Sequence, residues 1–454
     1  MFASGSAMNF ITKSLACCTF LVAFASAHQA CAQSSKTTSK RHVTSDPTAE
    51  ELNRLLASAQ EAVDKQDYAT AAQDYEDYLA KKPDDAMVHF NLGYVYTALK
   101  REDDARAEYE KAIGLDPGDP KMAPAYRNLG MTLIPKDPAA AIDPLQHAAE
   151  LQPQDAQVKW LLGMALENSG KLAPAIEQLQ AAQKLDDKDA EIGISLGNAL
   201  LNADRYVDAE SAYRTTLTLN PEGDLLRQAH LGLAKSLVAQ KKLDTAVAEF
   251  AAYLELAPND NAVRIERASA LVDLGKDDDA LAELNRATAT GPESAPTLKL
   301  RSQIYWEKKR YDDAIPVLQK AAVLLPADPD IPARLGRVYM AKKDYPNALH
   351  WFVAAYKMSP NANDLLTQVV EAEYLNQNYA AALAGLDVLA KREELPLGSL
   401  YLRATCYDKL GQIPEALDAY QKFLQLNKDQ NSDMYFVSTS RLRALTRELQ
   451  EKKR

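Results

Sequence analysis

Apolar side chains recur three and four residues apart in residues 90–117, which read FNLGYVYTALKREDDARAEYEKAIGLDP. Leu92 and Tyr96 lie on one such stripe, and Ala105 and Tyr109 lie on a second stripe beyond a run of charged residues. Residues at this spacing share one face of an α-helix, and that face is normally buried against a neighbour. The segment is therefore predicted to form two short amphipathic helices joined by a charged turn.

Ala105 is one member of a series of alanines that runs along most of the chain. Successive members are about 34 residues apart, and the steps from Ala105 to Ala141 and from Ala209 to Ala246 are slightly longer. The series is Ala71, Ala105, Ala141, Ala175, Ala209, Ala246, Ala280, Ala314, Ala348, Ala382 and Ala416. A proline closes most units, at Pro83, Pro117, Pro153, Pro221, Pro258, Pro292, Pro326 and Pro360. A near-constant period of this length indicates an array of repeats, and residues 52–430 are predicted to hold eleven helical hairpins.

Large and small residues alternate between the two helices of a unit. In the second unit, Gly93 leaves space on the first helix, while Tyr109 supplies bulk beside Ala105 on the second. Bulky side chains of one helix are expected to enter the spaces beside small residues of the other, as in ridge-into-groove packing. The tenth unit departs from this pattern, because Val370 stands where glycine is usual.

The ends of the units carry signals that stop and start helices. Proline cannot continue a helix, and an aspartate at the N-cap accepts hydrogen bonds from the free backbone N–H groups of the next one. The predicted N-caps are Asp85, Asp119, Asp155, Asp189, Asp260 and Asp328. Extra residues around 120–122 and 224–226 are expected to lengthen two of the links between units.

Residues 433–454 follow the last unit and are predicted to form a C-terminal capping helix with a basic tail. Leu442, Leu445 and Leu449 recur on one face of this helix. That face is expected to cover the open end of the array, since terminal repeats need a polar outer surface. The basic residues of the segment, Arg441 among them, are interpreted as a solvated face.

The unit is similar to a tetratricopeptide repeat, whose signature is W-x2-L-G-x2-Y, then A-x3-F, then P. The second unit carries the signature as Leu92, Gly93, Tyr96, Ala105, Tyr109, Ala112 and Pro117. The ninth carries it as Leu335, Gly336, Tyr339, Ala348, Phe352 and Pro360. Pentatricopeptide repeats lack this proline, and Sel1-like repeats are longer and richer in glycine. The resemblance covers residues 52–430 and implies an all-α α-solenoid, a right-handed superhelix of stacked helical hairpins.

The resemblance also implies a partner-binding groove, because the first helices of tetratricopeptide hairpins line a concave surface. The groove positions carried over unit by unit are Phe90, Asn91, Tyr94, Arg127, Trp160, Met164, Ile194, Asn198, Lys299, Trp306, Arg334, Arg337, Tyr374 and Tyr401. Aromatic and methionine side chains at such positions are typical docking anchors; the alternative for each is packing against the next unit. The Lys, Asn and Arg set of chaperone-binding members is missing, which argues against a chaperone partner.

Residues 1–32 have the layout of a secretory signal peptide. An apolar run at residues 14–27 follows a lysine, and small residues end in the sequence Ala-Cys-Ala at 30–32, which matches an A-x-A cleavage site. The apolar run is too short to span a bilayer, which takes about 20 residues. The leader is therefore predicted to be cleaved, and no transmembrane span is predicted.

Two features of the N-terminal region stay open. Translation begins at either Met1 or Met8, and Cys31 is either lost with the leader or carries a lipid. Residues 33–50 are polar and lack an apolar pattern, so they are predicted to be a flexible linker.

Charge and candidate chemistry narrow the function. The formal net charge is −11, which argues against a nucleic-acid partner because phosphate binding depends on clustered Lys and Arg. Beyond the leader Cys406 is the single cysteine, the histidines are scattered over different units, and no glycine-rich phosphate loop or hydrolase motif occurs. The sequence therefore predicts no catalytic residues, no cofactor and no metal site.

These features together predict a secreted, non-enzymatic scaffold or assembly factor of the cell envelope. Its partners are expected to be other proteins or peptides, held in the groove as an extended peptide or a helix. In a Gram-negative host the compartment would be the periplasm. The alternative is an accessory protein of polysaccharide synthesis or export.

Overall fold

The computed structural model describes residues 47–452, and this part of the chain is a succession of α-helices without a strand. The helices are α1 (Pro47–Asp64), α2 (Tyr68–Lys81), α3 (Ala86–Ala98), α4 (Glu102–Leu115), α5 (Ala123–Leu133), α6 (Pro138–Leu151), α7 (Ala156–Asn168), α8 (Leu172–Leu185), α9 (Ala190–Asn202), α10 (Tyr206–Thr218), α11 (Gly223–Ala239), α12 (Leu243–Leu256), α13 (Asn261–Asp273), α14 (Asp277–Thr290), α15 (Ala295–Glu307), α16 (Tyr311–Leu324), α17 (Asp330–Ala341), α18 (Tyr345–Met358), α19 (Asn363–Leu375), α20 (Tyr379–Arg392), α21 (Leu397–Lys409), α22 (Ile413–Leu426) and α23 (Asp433–Lys452). A 3-10 helix, Pro120–Met122, precedes α5.

Helices α1 to α22 pair in order into eleven hairpins, each with a first and a second helix, and α23 follows them. The chain divides into two compact units, of which unit 1 ends at Tyr253 and unit 2 begins at Leu254. Unit 1 contains hairpins 1–5, α11 and most of α12, while unit 2 contains hairpins 7–11 and α23. Within each unit the helices pack mainly on their neighbours in sequence, so the predicted all-α solenoid of stacked hairpins is confirmed.

The N-terminal predictions meet the structure only in part. The signal peptide predicted for residues 1–32 lies outside the described residues. The linker predicted for residues 33–50 ends too late, because α1 already begins at Pro47. Throughout residues 47–452, no helix combines the length and the apolar character that crossing a bilayer demands.

The eleven alanines of the repeat series are all fully buried, with 0% of their surface exposed. Each stands on the second helix of its hairpin, where a larger side chain would push the two helices apart. This confirms the register of the repeat, because a shift of even one position would have moved the series by about 100° around the helix.

The predicted fit between glycines and large side chains is also confirmed. A Cβ atom on Gly93 would lie 2.7 Å from the ring of Tyr109, and one on Gly336 would lie 2.5 Å from the ring of Phe352. Real Cβ atoms do not approach other carbon atoms so closely, so each glycine is the space into which the opposite ring packs. The hairpins are thus held by shape as well as by apolar area.

Hairpin 10 reverses this arrangement. Val370 occupies the position of the missing glycine on the first helix, and the second helix places Gly385 against it. A Cβ atom on Gly385 would overlap Cγ2 of Val370. The small residue has therefore moved from one helix of the pair to the other.

This reversal gives a test by double substitution. Gly385→Ala is expected to destabilise unit 2 by about 1 kcal/mol, because the overlap with Val370 costs about 1–3 kcal/mol and exceeds the gain in helix propensity of about 1 kcal/mol. In a Val370→Gly background the same change is expected to stabilise by about 1 kcal/mol, since only the propensity gain remains. Chemical denaturation of the four variants of this cycle measures the reversal of sign.

A helical glycine in open space provides the control for that cycle. No other atom lies near a Cβ built on Gly114 in α4, so Gly114→Ala is expected to be stabilising in every background. If Gly385→Ala has the same effect with and without Val370, the Val370 side chain does not pack against Gly385.

The turn inside nearly every hairpin contains a residue in the left-handed conformation, five positions before the buried alanine. These residues are Gln66, Lys100, Gly170, Asp204, Lys241, Gly275, Lys309, Lys343, Gln377 and Gly411. In hairpin 2, Lys100 has φ 60°, and Arg101 N donates to Tyr96 O at 2.9 Å, which is the bonding of a Schellman motif. Hairpin 3 lacks the feature, and its turn is one residue shorter.

Five of the predicted N-cap aspartates accept a backbone N–H in a capping position. The exception is Asp328, which lies one residue before the N-cap of α17, although it still accepts from Asp330 N at 3.0 Å. The expectation for residues 224–226 is wrong. They lie inside α11, whose 17 residues lengthen the helix itself, whereas residues 120–122 form the 3-10 helix of a longer link.

Helix α23 covers the last hairpin in the way the leucine pattern predicts. Leu445 is buried, and Leu442 and Leu449 pack beside it against α21 and α22. Arg441 is exposed, as predicted for a solvated face, and its Nε and Nη2 atoms also donate to Asp408 at 2.7 and 2.6 Å. This fork fixes the helix to hairpin 11, and the Arg441 guanidinium lowers the pKa of the partly buried Asp408 carboxyl.

Candidate functional site

The predicted groove residues all stand on first helices, and they fall into two sets. The unit-1 face consists of Phe90, Asn91, Tyr94, Arg127, Trp160, Met164, Ile194 and Asn198. The unit-2 face consists of Lys299, Trp306, Arg334, Arg337, Tyr374 and Tyr401. Each face lies on consecutive or nearly consecutive hairpins of its own unit.

Two residues of the unit-1 face are buried and do not present a docking surface. Trp160 is 8% exposed and Ile194 is 3% exposed. The indole Nε1 of Trp160 donates to Ser195 Oγ at 2.8 Å, on the first helix of the next hairpin. For Trp160 the packing alternative describes the structure, because the next hairpin accepts its N–H and the ring is buried. Ile194 is buried as well.

The other residues of the unit-1 face remain accessible to different degrees. Tyr94 is 39% exposed, and Phe90 is half-buried with its ring centroid 6.2 Å from that of Tyr109. Asn198 accepts a hydrogen bond from the Tyr213 hydroxyl at 2.6 Å, so the second helix of the hairpin fixes the position of its amide. Asn91, Arg127 and Met164 are partly buried.

Two carboxylates on the same side of the first helices were missed by the sequence reasoning. Glu167 accepts a hydrogen bond from Asn202 Nδ2 at 2.8 Å, and burial raises its pKa to about 7. Burial also raises the pKa of Glu191. The repeat register could have pointed to Glu167. This residue stands eight positions before Ala175, the alanine of its hairpin, and the predicted groove residue Trp306 stands eight positions before Ala314.

The unit-2 face combines cations with two aspartates. Lys299 Nζ lies 2.8 Å from Asp328 Oδ2, while Arg334 Nε and Arg337 Nη2 lie 2.6 and 3.3 Å from the two oxygens of Asp330. All of these side chains are partly exposed, so each pair is screened by water and weak by itself. In these pairs three cations share two carboxylates.

Aromatic rings accompany these charges. Trp306 is 41% exposed, and its ring centroid lies 5.7 Å from that of Tyr311. Tyr374 contacts Tyr379 edge-on at 5.6 Å, and Tyr401 lies 5.5 Å from Phe423. The second helix thus supports each ring of the first, which reduces the conformational entropy that a docked partner would have to offset.

Within 47–452, no group of three or more His, Cys, Asp or Glu side chains is arranged to hold a metal ion. The thiol of Cys406 is buried, and burial raises its pKa to about 12, so it is a protonated core residue at neutral pH.

The stacked hairpins and their register define the class of protein as an α-solenoid of helical repeats. The model of the tetratricopeptide repeat matches residues 56–120, 136–190, 194–261 and 265–330, which is more than half of the chain. The chain therefore belongs to the tetratricopeptide repeat family. A second model, described as anaphase-promoting complex, cyclosome, subunit 3, matches residues 341–423. No curated protein sequence matches the chain.

Solved structures similar to this chain come from several organisms. A tetratricopeptide repeat protein from Parabacteroides merdae is 17% identical, with a TM-score of 0.40, and the match covers 59% of this chain and 99% of that one. PilF of Pseudomonas aeruginosa is 21% identical, with a TM-score of 0.38, and the match covers 45% of this chain and 93% of that one. Yeast Tom70 is 14% identical, with a TM-score of 0.35, and the match covers 89% of this chain and 97% of that one. Identities and TM-scores this low carry no information about a shared function.

Membership of the family has a general functional consequence. The tetratricopeptide scaffold is typical of protein–protein interaction, and proteins of this family are generally non-catalytic.

Proposed function

We propose that the chain is a non-enzymatic scaffold or assembly factor of the cell envelope, which holds a peptide or a partner helix against the first helices of its hairpins. The observation that carries the proposal is the combination of an exposed aromatic ring with neighbouring arginine side chains on the unit-2 face. Trp306, Arg334 and Arg337 stand on adjacent hairpins and are supported from behind by second-helix residues or held by ion pairs. Aromatic and arginine side chains are the residues that dominate binding energy at protein interfaces.

The charges of the two faces favour different segments of a partner. The arginines of the unit-2 face suit a segment that carries acidic and apolar side chains together, because carboxylates would pair with the arginines while apolar groups cover Trp306. On unit 1, Glu167 and Glu191 lie next to the face and have no cation bonded to them in the described residues. That surface suits a basic segment.

Affinity capture tests the proposal. The chain without residues 1–32 is immobilised, envelope extract is passed over it, and bound proteins are identified. A Trp306→Ala, Arg337→Ala variant is expected to retain at least tenfold less of the partner, since hot-spot truncations cost upwards of ~2 kcal/mol each. A synthetic peptide copied from the acidic and apolar segment of that partner is then expected to bind the chain.

An exposed residue away from both faces supplies the matched control. Phe436 on α23 is 75% exposed, more than Trp306, so Phe436→Ala removes a comparable accessible apolar surface. It is expected to leave capture unchanged. Equal retention by the wild type and by the Trp306→Ala, Arg337→Ala variant would refute the assignment of the unit-2 face.

Two further observations test the cellular location and the alternative function. Fractionation of cells that express the tagged full chain tests the envelope assignment, which rests on the signal peptide predicted for residues 1–32. Proteins of glycan synthesis or export among the captured partners, or glycan itself, would instead favour the role as an accessory of a polysaccharide system.

A further inference from the structure

Three arginines of hairpin 7 converge on one buried carboxylate. Glu283, on α14, is the acceptor, and its side chain is 5% exposed. Nη1 of Arg264 and Nη1 of Arg267, both on α13, lie 2.8 and 2.9 Å from its two oxygens. Arg286 Nη1 lies 2.7 Å from Oε1. Three guanidinium groups share one carboxylate, so this arginine cluster has a net charge of +2.

Part of the cluster belongs to an arrangement that recurs in unit 1. His89 Nδ1 lies 2.5 Å from Glu108 Oε2, and His230 Nδ1 lies 2.7 Å from Glu249 Oε2. In all three hairpins the basic residue and the glutamate are 19 positions apart. In hairpins 2 and 6 one basic residue of the first helix contacts the glutamate, whereas in hairpin 7 two basic residues of the first helix contact it.

The additional residue, Arg267, stands where most hairpins have an apolar side chain. The equivalent residues in five other hairpins are Leu92, Leu162, Leu196, Leu233 and Leu335, and all are buried. A leucine completes the hairpin at this position without any charge. The stacking of hairpin 7 therefore does not require a cation here.

The hydrogen bonds of the arginine cluster are incomplete. Arg264 Nη2 donates to the carbonyl oxygen of Pro258 at 2.5 Å, but Nε of Arg264 and Nε of Arg267 are buried and find no acceptor among the described residues. Arg286 is 65% exposed, so it is the solvent-accessible member of the cluster. Buried cations are stable only when paired and hydrogen-bonded, so the cluster lacks acceptors and negative charge.

We propose that the arginine cluster binds a phosphate-type dianion. A phosphate monoester carries a charge of about −1.5 to −2 at pH 7, which balances +2, whereas a single carboxylate would leave one cation unpaired. Its oxygens supply several acceptors for the planar forks of Arg267 and Arg286. The dianion is either free in solution or the headgroup of an anionic lipid, and the site is separate from the unit-2 face.

Thermal denaturation with inorganic phosphate tests the proposal, with sodium chloride at equal ionic strength as the reference. Phosphate binding is expected to raise the Tm of the chain without residues 1–32 saturably. Arg267→Leu and Arg286→Gln are each expected to weaken the apparent affinity at least tenfold. Arg267→Leu introduces the residue that five other hairpins carry, and Arg286 is exposed, so both variants are expected to fold.

Hairpin 11 provides the matched control. Arg403 occupies the position of Arg267 there, but the single carboxylate of Asp387 pairs with it, so Arg403→Leu is expected to keep the full response to phosphate. Co-sedimentation with phosphatidic acid vesicles, lost on Arg267→Leu, would identify a lipid headgroup as the source; a phosphate response without co-sedimentation would identify a free anion. No phosphate response beyond that of chloride, or an equal response in Arg267→Leu, would overturn the proposal.

Discussion

Replacing Tyr213 by alanine is expected to lower the free energy of unfolding of unit 1 by about 3–5 kcal/mol, the range for large aromatic residues in well-packed cores. Tyr213 is fully buried on the second helix of hairpin 5. Its ring fills space left by Gly197 of its own hairpin and by Gly232 of the next one. Removing it opens a cavity between the two hairpins and also removes the hydroxyl that donates to Asn198.

Hydrogen exchange measures this loss where it occurs. Repeat arrays need not unfold in a single two-state step, so a global denaturation curve alone would mix the hairpins. Amide protection is expected to fall most in hairpins 5 and 6, which share Tyr213, and less in hairpins 1 and 2. Val207→Ala on the same helix is the control, since Val207 is largely exposed and surface changes stay within about 0.5 kcal/mol. A uniform fall across unit 1 would contradict nearest-neighbour coupling.

The fold was largely predictable because its information is local and repeated. A fully buried alanine in every unit fixes the register of both helices, and the glycines show where bulky residues enter. The left-handed turn residues were not predicted, since most are Lys or Gln, for example Lys100 and Gln66, and these residue types carry no turn signal. They adopt the conformation because the flanking helices impose it, at a cost that glycine would avoid.

The candidate site was less predictable, because exposure depends on which hairpin lies next. Trp160 looked like a docking anchor, yet Ser195 of the following hairpin accepts its N–H and the ring is covered. The repeat register gives the face of a helix, but not the depth to which the neighbour covers it. The arginine cluster was also missed, because Arg264, Arg267 and Glu283 come from two helices and no spacing rule singles them out.

Removing the carboxylate of the arginine cluster is the second change with a large expected effect. Glu283→Ala leaves three guanidinium groups facing one another, two of them mostly buried. Taking one partner from a buried ion pair typically costs about 3–5 kcal/mol, because the remaining charge is uncompensated. A loss of that size is expected for unit 2, measured by denaturation at low ionic strength, and it should shrink as added salt screens the repulsion.

A second substitution separates charge repulsion from lost packing. Arg267→Leu in the Glu283→Ala background removes one unpaired cation and restores an apolar side chain, so it is expected to recover part of the lost stability. Glu61→Ala is the control, since Glu61 pairs with Lys65 in full solvent on α1 and its removal should leave the unfolding curve unchanged. If Arg267→Leu instead adds to the destabilisation, the arginine contributes mainly by packing its stem, and uncompensated charge is not what sets the stability of hairpin 7.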